Sequence, residues 1–533
     1  MAYGFVGPGN PDEVYLLPPD VRDWLPARHL AWGLLELTGR LDLSAFTRWY
    51  RADGQGRPAY HPAMMVALIG YCYGKGIRSS RAVEAATFDD VGARVICGNL
   101  HPDHATVARF IGRHEEAVKG LLVASIVACA REGLVSVDVV AGDGTKVRAN
   151  ASAASNVTIG QLDLQIGELE RLVAAEVDAW VAQHQAEDAM PGDGGDDSGA
   201  GPGPARDRGR KRTAATLARR RLARTRLQAA EQAQRAQAEA ERAGRIARLE
   251  ARAARAQRQA PALAAAAEAK VTAWQDRAAD KAAAGSRKRP DGRMPAGADG
   301  SVHVARARRA AERAGAKLEA ARAGPADPGK PGKINTADPS SKVMQAKNGG
   351  YGQLRNVQVL AGKHQVIYAI AGWPSPADTA ALHPLLAKGR ANLDAAGTTA
   401  KFGAILFDAG YASDANFTAG CEGDLHVAVT REARQTGRLK DGKQPRHGKP
   451  SWQQMAAKLD TSEGSALYKQ RAGIIEPVFA QLFARLGAYL NYRDDKVDVE
   501  LHLWAASHNL LKAIRARHRH LPGAPVQAQA QAA

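Results

Sequence analysis

Two short apolar runs, VDVVAGD (137–143) and AILFD (404–408), each end in an aspartate. Runs of this length, rich in β-branched residues, read as buried strands. A carboxylate at the end of a buried strand is costly unless it is paired or binds a metal. The two runs lie on either side of a long stretch of quite different composition. The chain must therefore build one sheet from strands separated by an insertion, and bring Asp143 and Asp408 to that sheet's ends. A third acid, Glu476, stands near the start of the helically spaced stretch IIEPVFAQLFARL.

Charge marks the insertion. The 533 residues carry a net charge of +18, and the sequence pI is about 9.8. Residues 206–324 hold 30 Lys and Arg against 12 Asp and Glu, whereas the rest of the chain holds 43 of each. One segment thus carries the whole excess, which suits a polyanionic partner such as nucleic acid. A solvated helical spacer is the other reading of the same block. Cys72, Cys97, Cys129 and Cys421 are dispersed and form no CxxC, which argues against zinc and against a disulfide framework. The start, MAYGFVGPGNPDEV, lacks the basic and apolar regions of a signal peptide. No apolar run reaches membrane-spanning length. A reducing cytoplasm, in contact with the nucleoid, is expected, with no membrane partner.

The pattern predicts five segments. Residues 1–134 read as helical, with Ser79 or Ser80 as an N-cap, a turn near Gly98-Asn99 and a start signal at Pro102-Asp103. Thr106, Arg109 and Arg113 project from one face of a helix there, as in a DNA-binding module. Residues 135–153 supply the first strand. Residues 154–333 form the insertion: an amphipathic helix, the linker AMPGDGGDDSGAGPGP, then an Ala/Arg-rich block expected to be a helical hairpin or loose coiled coil. Residues 334–520 return to an α/β pattern. LRNVQVLAG and HQVIYAIAGW are split by Gly362-Lys363-His364 and read as a hairpin. Residues 521–533 are expected to be a disordered tail.

With these elements in order, four motifs resemble those of the DDE transposases of bacterial insertion sequences: DGTKVRANAS (143–152), TADPSSKVM (336–344), FDAGYAS (407–413) and YKQRAGIIEPVFAQLF (468–483). The resemblance covers nearly the whole globular part. It implies an RNase H-like α/β catalytic domain with a mixed sheet, preceded by an all-α N-terminal domain and interrupted by a helical insertion. It also implies that Asp143, Asp408 and Glu476 are catalytic and bind two Mg²⁺ ions, for which Mn²⁺ substitutes. The family's Tyr-Arg-Glu-Lys signature maps onto Tyr468, Arg471 and Glu476, with the Tyr and Arg holding DNA phosphates. The Lys is absent: Phe483 occupies its position, and Arg485 is the nearest basic residue. Arg485, Arg109, Arg113 and Lys146 complete the expected DNA-binding set. Asp338, Asn356, Gln358 and Asp378 also match family positions.

Each acid has a plainer reading beside the catalytic one. Asp143-Gly144 is the commonest hairpin dipeptide. Asp408 can cap the following turn, and Asp414 the helix after it. Glu476 precedes Pro477, which favours a helix's first position, so Glu476 is expected near an N-cap. His508 reads as a hydrogen-bonded core histidine. The expected function is metal-dependent cleavage and strand transfer at the element's terminal inverted repeats, by a homodimer that also holds target DNA. Two alternatives remain at this stage: a decayed transposase that only binds DNA, and a two-metal nuclease without strand transfer.

Overall fold

The chain divides into two units, 1–156 with 335–533 and 157–334. The computed structural model describes residues 21–48, 50, 58–188, 204–284, 292–326, 332–346, 349–429 and 449–520. The linker expected over residues 189–204, the tail 521–533, the N-terminal segment through residue 20 and most of the polar, basic stretch 434–450 therefore lie outside the described residues, apart from Pro204.

The first unit opens with α1 (Leu30–Thr38), α2 (Ser44–Thr47), α3 (Pro62–Gly74), α4 (Ser80–Asp89), α5 (Val91–Cys97), α6 (His104–Arg113) and α7 (Glu115–Arg131). Local chemistry sets the boundaries. Ser79 caps α4 by accepting from the Ala82 N–H, and Asp103 caps α6 by accepting from Thr106. Gly98 ends α5 in the left-handed region, at φ 57°. The stretch 79–98 is thus two helices, broken at Asp90, whose carboxylate caps the second.

Next come β1 (Val139–Arg148), the two-residue strands β2 (Asn156–Val157) and β3 (Ile334–Asn335) where the insertion leaves and rejoins, and then β4 (Lys342–Gln345), β5 (Tyr351–Gly362), β6 (Ile367–Trp373), β7 (Ala404–Phe407) and β8 (Asp424–Val427). Apart from β2 and β3, these strands form one mixed sheet. β5 is antiparallel to β1, β4 and β6, while β7 runs parallel to both β1 and β8. The helices that belong to this part are α11 (Leu382–Ala395), α12 (Asp414–Thr418), α13 (Pro450–Asp460), α14 (Ser462–Leu486) and α15 (Lys496–His520). β5 and β7 are buried almost throughout, as are the first four residues of β1 and of β6, and these strands share one hydrophobic core with α3, α7, α14 and α15. Within it Arg78 and Glu500 form a buried ion pair at 3.1 Å, and Glu500 also accepts from the Asn491 and Tyr492 N–H groups.

The second unit is built from α8 (Ile159–Asp188), α9 (Pro204–Ala283) and α10 (Val302–Ala323). The Ala/Arg-rich block is one continuous 80-residue helix and not the hairpin expected within it. Ala, Arg, Gln and Glu all favour helix, and no strong breaker interrupts the run except Pro261. Its apolar positions are too sparse for one core. Leu217, Ala223 and Leu227 pack with Leu162 and Ile166 of α8, and Ala253 packs with Ala314 and Leu318 of α10. Ion pairs such as Arg221–Glu170 (2.6 Å) and Arg322–Glu250 (2.7 Å) use some of the few acids between helices. No described helix is long and apolar enough to cross a membrane.

Candidate active site

Strand register brings the two aspartates together. Ala141 of β1 is paired in parallel with Leu406 of β7. Asp143 and Asp408 each lie two residues beyond that pair, and the two-residue period of a strand turns both to one side of the sheet. Asp408 is 7% exposed, and its Oδ1 accepts the Gly410 N–H at 2.9 Å, starting a short 3-10 turn. The capping reading and the site reading therefore describe the same carboxylate. Asp143 accepts the Gly144 N–H at Oδ1 (2.7 Å) and Arg471 Nη1 at Oδ2 (3.3 Å). Burial pushes the Asp143 carboxyl up to about 6; the negative charge of Asp408 adds to this, and Arg471 opposes it.

Arg471, from α14, is 4% exposed. Its Nη2 stands 3.8 Å from Glu476 Oε1, so one guanidinium links Asp143 to the third acid. The Glu476 side chain itself is 64% exposed. It does not stand at an N-cap. The helix begins well before it, where Thr461 caps the first turn, and Pro477 lies inside it. A proline there leaves the carbonyl of Gly473 without its helical N–H partner. Gln365 Nε2, from the β5–β6 turn, donates to that carbonyl at 3.3 Å, which lets the helix continue.

A polar network backs the aspartates. Asp378 Oδ1 accepts from Asn356 Nδ2 (2.7 Å), Gln358 Nε2 (2.7 Å) and Lys146 Nζ (3.4 Å). Tyr411, fully buried, donates its hydroxyl to Gln358 Oε1. Burial drives its phenol well above the ordinary value, and Asp143, Asp378 and Asp408 add to the effect, so it is a fixed neutral donor. A Cβ on Gly144 would collide with Gln358 Nε2 and come within 2.8 Å of Asp378 Oδ1. Asp378 thus lies against the backbone beside Asp143. The sequence pointed to Asn356, Gln358 and Asp378 only through family positions; that β5 and the loop after β6 converge behind Asp143 follows from register alone.

Among the described residues, no three His, Cys, Asp or Glu side chains converge closely enough to hold a metal ion. Asp143 and Asp408 nevertheless fit a hard divalent cation: both offer carboxylate oxygens, and burial, then the charge of Asp408, raises the Asp143 pKa, a penalty that a cation would relieve. Glu476 is turned to solvent and to Arg471, and stands apart from that pair.

The residues expected to touch DNA fall into three groups. Tyr468 and Arg471 are 1% and 4% exposed, so neither presents a surface to a phosphate here. Arg471 serves the acids, and Tyr468 is buried beside them, its phenol pushed up to about 12 by burial. Lys146 is tied to the Pro376 carbonyl at 2.7 Å as well as to Asp378. Arg485 lies fourteen residues along α14 from Arg471, roughly 21 Å at the helical rise, and belongs to a separate cluster. Arg109 and Arg113 are exposed on α6 and line a cleft with Thr106, Tyr50 and Tyr60. Two lesser expectations resolve simply. Ser413, not Asp414, caps α12, because Asp414 is held by Lys449 and Ser451. His508 is buried and bonded to the Gln365 carbonyl at 2.8 Å.

Residues 19–113 match a family model described as Transposase domain (DUF772). The match spans α1 through α6 and includes Arg109 and Arg113; Asp143, Asp408 and Glu476 lie beyond it. No curated protein and no solved structure matches the chain.

Proposed function

We propose that the chain is a DNA transposase of the DDE type, in which an RNase H-like catalytic unit cuts phosphodiesters at the ends of a mobile element and joins them to a second DNA. The observation that carries the reading is the pairing of Asp143 and Asp408 on neighbouring parallel strands, in a chain whose N-terminal region is similar to a transposase domain. Asp143 and Asp408 would hold Mg²⁺, with Glu476 as the third acid on the strength of the resemblance. The metal, when bound, supplies a Lewis acid for the phosphoryl oxygens and lowers the pKa of a water.

The chain's own residues set the conditions for that chemistry. Arg471 holds Asp143 in place and offsets part of the negative charge. As pH rises through about 6 the Asp143 carboxyl ionises and its oxygens become available as ligands. The Asp378–Gln358–Tyr411 network fixes the backbone on which both aspartates stand, and no side-chain nucleophile is required. Arg109 and Arg113 would contact element ends, and the basic α9–α10 surface would hold DNA through phosphates without reading sequence. Two ends per element imply a homodimer on DNA.

A second reading, a DNA-binding protein that no longer cuts, is favoured by two observations: Glu476 faces outward, and Phe483 packs on Phe479 where the family carries its Lys. The test is to supply the element's end and a plasmid target with Mg²⁺. Joined products are expected. Cut but unjoined ends would assign a nuclease, and binding without cutting the second reading.

A further inference from the structure

The end of α14, the β5–β6 turn and the second half of α15 enclose a group of cations that the proposed chemistry does not use. A cleft of about 320 Å³ is lined by Gln365, Gln481, Lys512, Arg515 and Arg519 among others, and no carboxylate is among its described lining residues. Arg485, near the end of α14, is close enough for its charge to act on Lys512 and that of Arg515 to act on it. Its Nε and Nη2 are buried and have no hydrogen-bond partner among the described residues. Burial, with the positive charge of Arg515 added, pushes this guanidinium down to about 10. Lys512 is pushed down to about 8, first by burial and then by Arg515, Arg519 and Arg485.

Buried donors without acceptors are costly, and like charges gathered without a counter-charge add to that cost. The surrounding frame is nonetheless firmly built. Gln365 Oε1 accepts from both Lys512 Nζ (3.0 Å) and Gln481 Nε2 (2.9 Å), its Nε2 is held by Gly473, and its carbonyl by His508. Gln365 takes a left-handed φ of 62° to do this, a conformation that persists only where its surroundings fix it. The acceptor missing from this cluster is an anion. Guanidinium forks match a phosphate's geometry, and three of the four cations are arginines.

We propose that this cleft is an anion subsite that takes a backbone phosphate of DNA, away from Asp143, which lies inside β1 and not at its end as the sequence suggested, and from Asp408. The assignment to DNA rests on the reading of the chain as a DNA-acting protein; the anion site itself does not. α14 links the two places. Arg471 and Arg485 are separated by roughly 21 Å of helix, which matches about six base pairs of duplex at 3.4 Å each. A duplex cut at Asp143 and Asp408 would thus reach the cleft within about one helical turn.

The test uses the full chain, the double variant Arg515→Ala/Arg519→Ala, whose replaced side chains are exposed, and Arg485→Leu. Melting temperature is followed against inorganic phosphate, and binding of a short duplex is followed against salt. Wild type should be stabilised by phosphate and both variants should lose that response. The double variant should bind duplex roughly eightfold more weakly at 0.1 M salt, with a log–log salt slope shallower by about 0.9 for one phosphate lost. A phosphate response absent in wild type, or equal in all three proteins, overturns the site. A response lost in the variants with duplex binding unchanged overturns the DNA assignment and leaves a free-phosphate site. Failure of the transposase reading looks different: no cutting, with the phosphate response and its loss in the variants intact.

Discussion

Replacing Asp143 with Asn should stabilise the protein at neutral and alkaline pH in buffer free of divalent cations. The native carboxyl titrates at about 6, against 3.8 in the unfolded chain. An acid whose folded pKa is raised binds more protons when folded, so stability falls as pH rises through that window. The penalty is absent below the unfolded pKa, grows between about pH 4 and 6, and is complete above about pH 7. A tenfold change in proton affinity is worth ~1.4 kcal/mol, so ionised Asp143 costs up to about 3 kcal/mol. Asn keeps the shape and the hydrogen bond to Gly144 while removing the charge, so at pH 8 it should recover most of this. In a unit of this size that is a rise of roughly 5 °C in the melting transition. Scanning calorimetry of both proteins at pH 4 and pH 8 tests it. The gain should appear at pH 8 and vanish near pH 4, and added Mg²⁺ should stabilise wild type more than the variant. A variant that melts no higher than wild type at pH 8, or that gains equally at both pH values, would refute the claim that Asp143 is ionised against a cost imposed by burial and Asp408.

Two further outcomes follow, one from the surroundings of the site and one from the buried core. Gly144→Ala should displace Gln358 and Asp378, lowering stability by about 1–3 kcal/mol and reducing cutting more than DNA binding; comparing nicking rate with duplex affinity checks this. Arg78→Leu leaves the buried Glu500 carboxylate without its counter-charge and should cost about 3–5 kcal/mol in urea unfolding, whereas the double variant Arg78→Leu/Glu500→Leu should recover part of the loss.

Local order was legible where a residue type has one strong physical use. Ser79, Asp103 and Gly98 marked helix ends because each satisfies a terminal backbone group. The apolar runs ending in Asp143 and Asp408 became adjacent parallel strands because buried runs of that length have few other uses. What failed depended on partners distant in sequence. Pro477 suggested a helix start, and nothing local could reveal that Gln365, more than a hundred residues earlier, would take up the carbonyl it leaves free. Nor did the sequence show that Arg471, expected to hold a phosphate, would be buried and paired with Asp143 and Glu476. Asp414 looked like a cap because its partners Lys449 and Ser451 are far along the chain. The sparse leucines of α9 suggested a helical hairpin or a loose coiled coil; the block is one helix, and they serve two separate packing patches along it.

The proposed function stands or falls on Asp143 and Asp408 acting together as one pair. The most direct measurement takes a DNA fragment carrying the element's own end, incubates it with Mg²⁺ and either wild-type protein or the Asp408→Asn variant, and maps cut positions at nucleotide resolution beside a binding assay. Defined cuts at the element's end by wild type alone, with equal binding by both proteins, is the predicted result. Equal cutting by the Asp408→Asn variant would contradict it, because a residue that the chemistry does not need cannot belong to the pair that performs it.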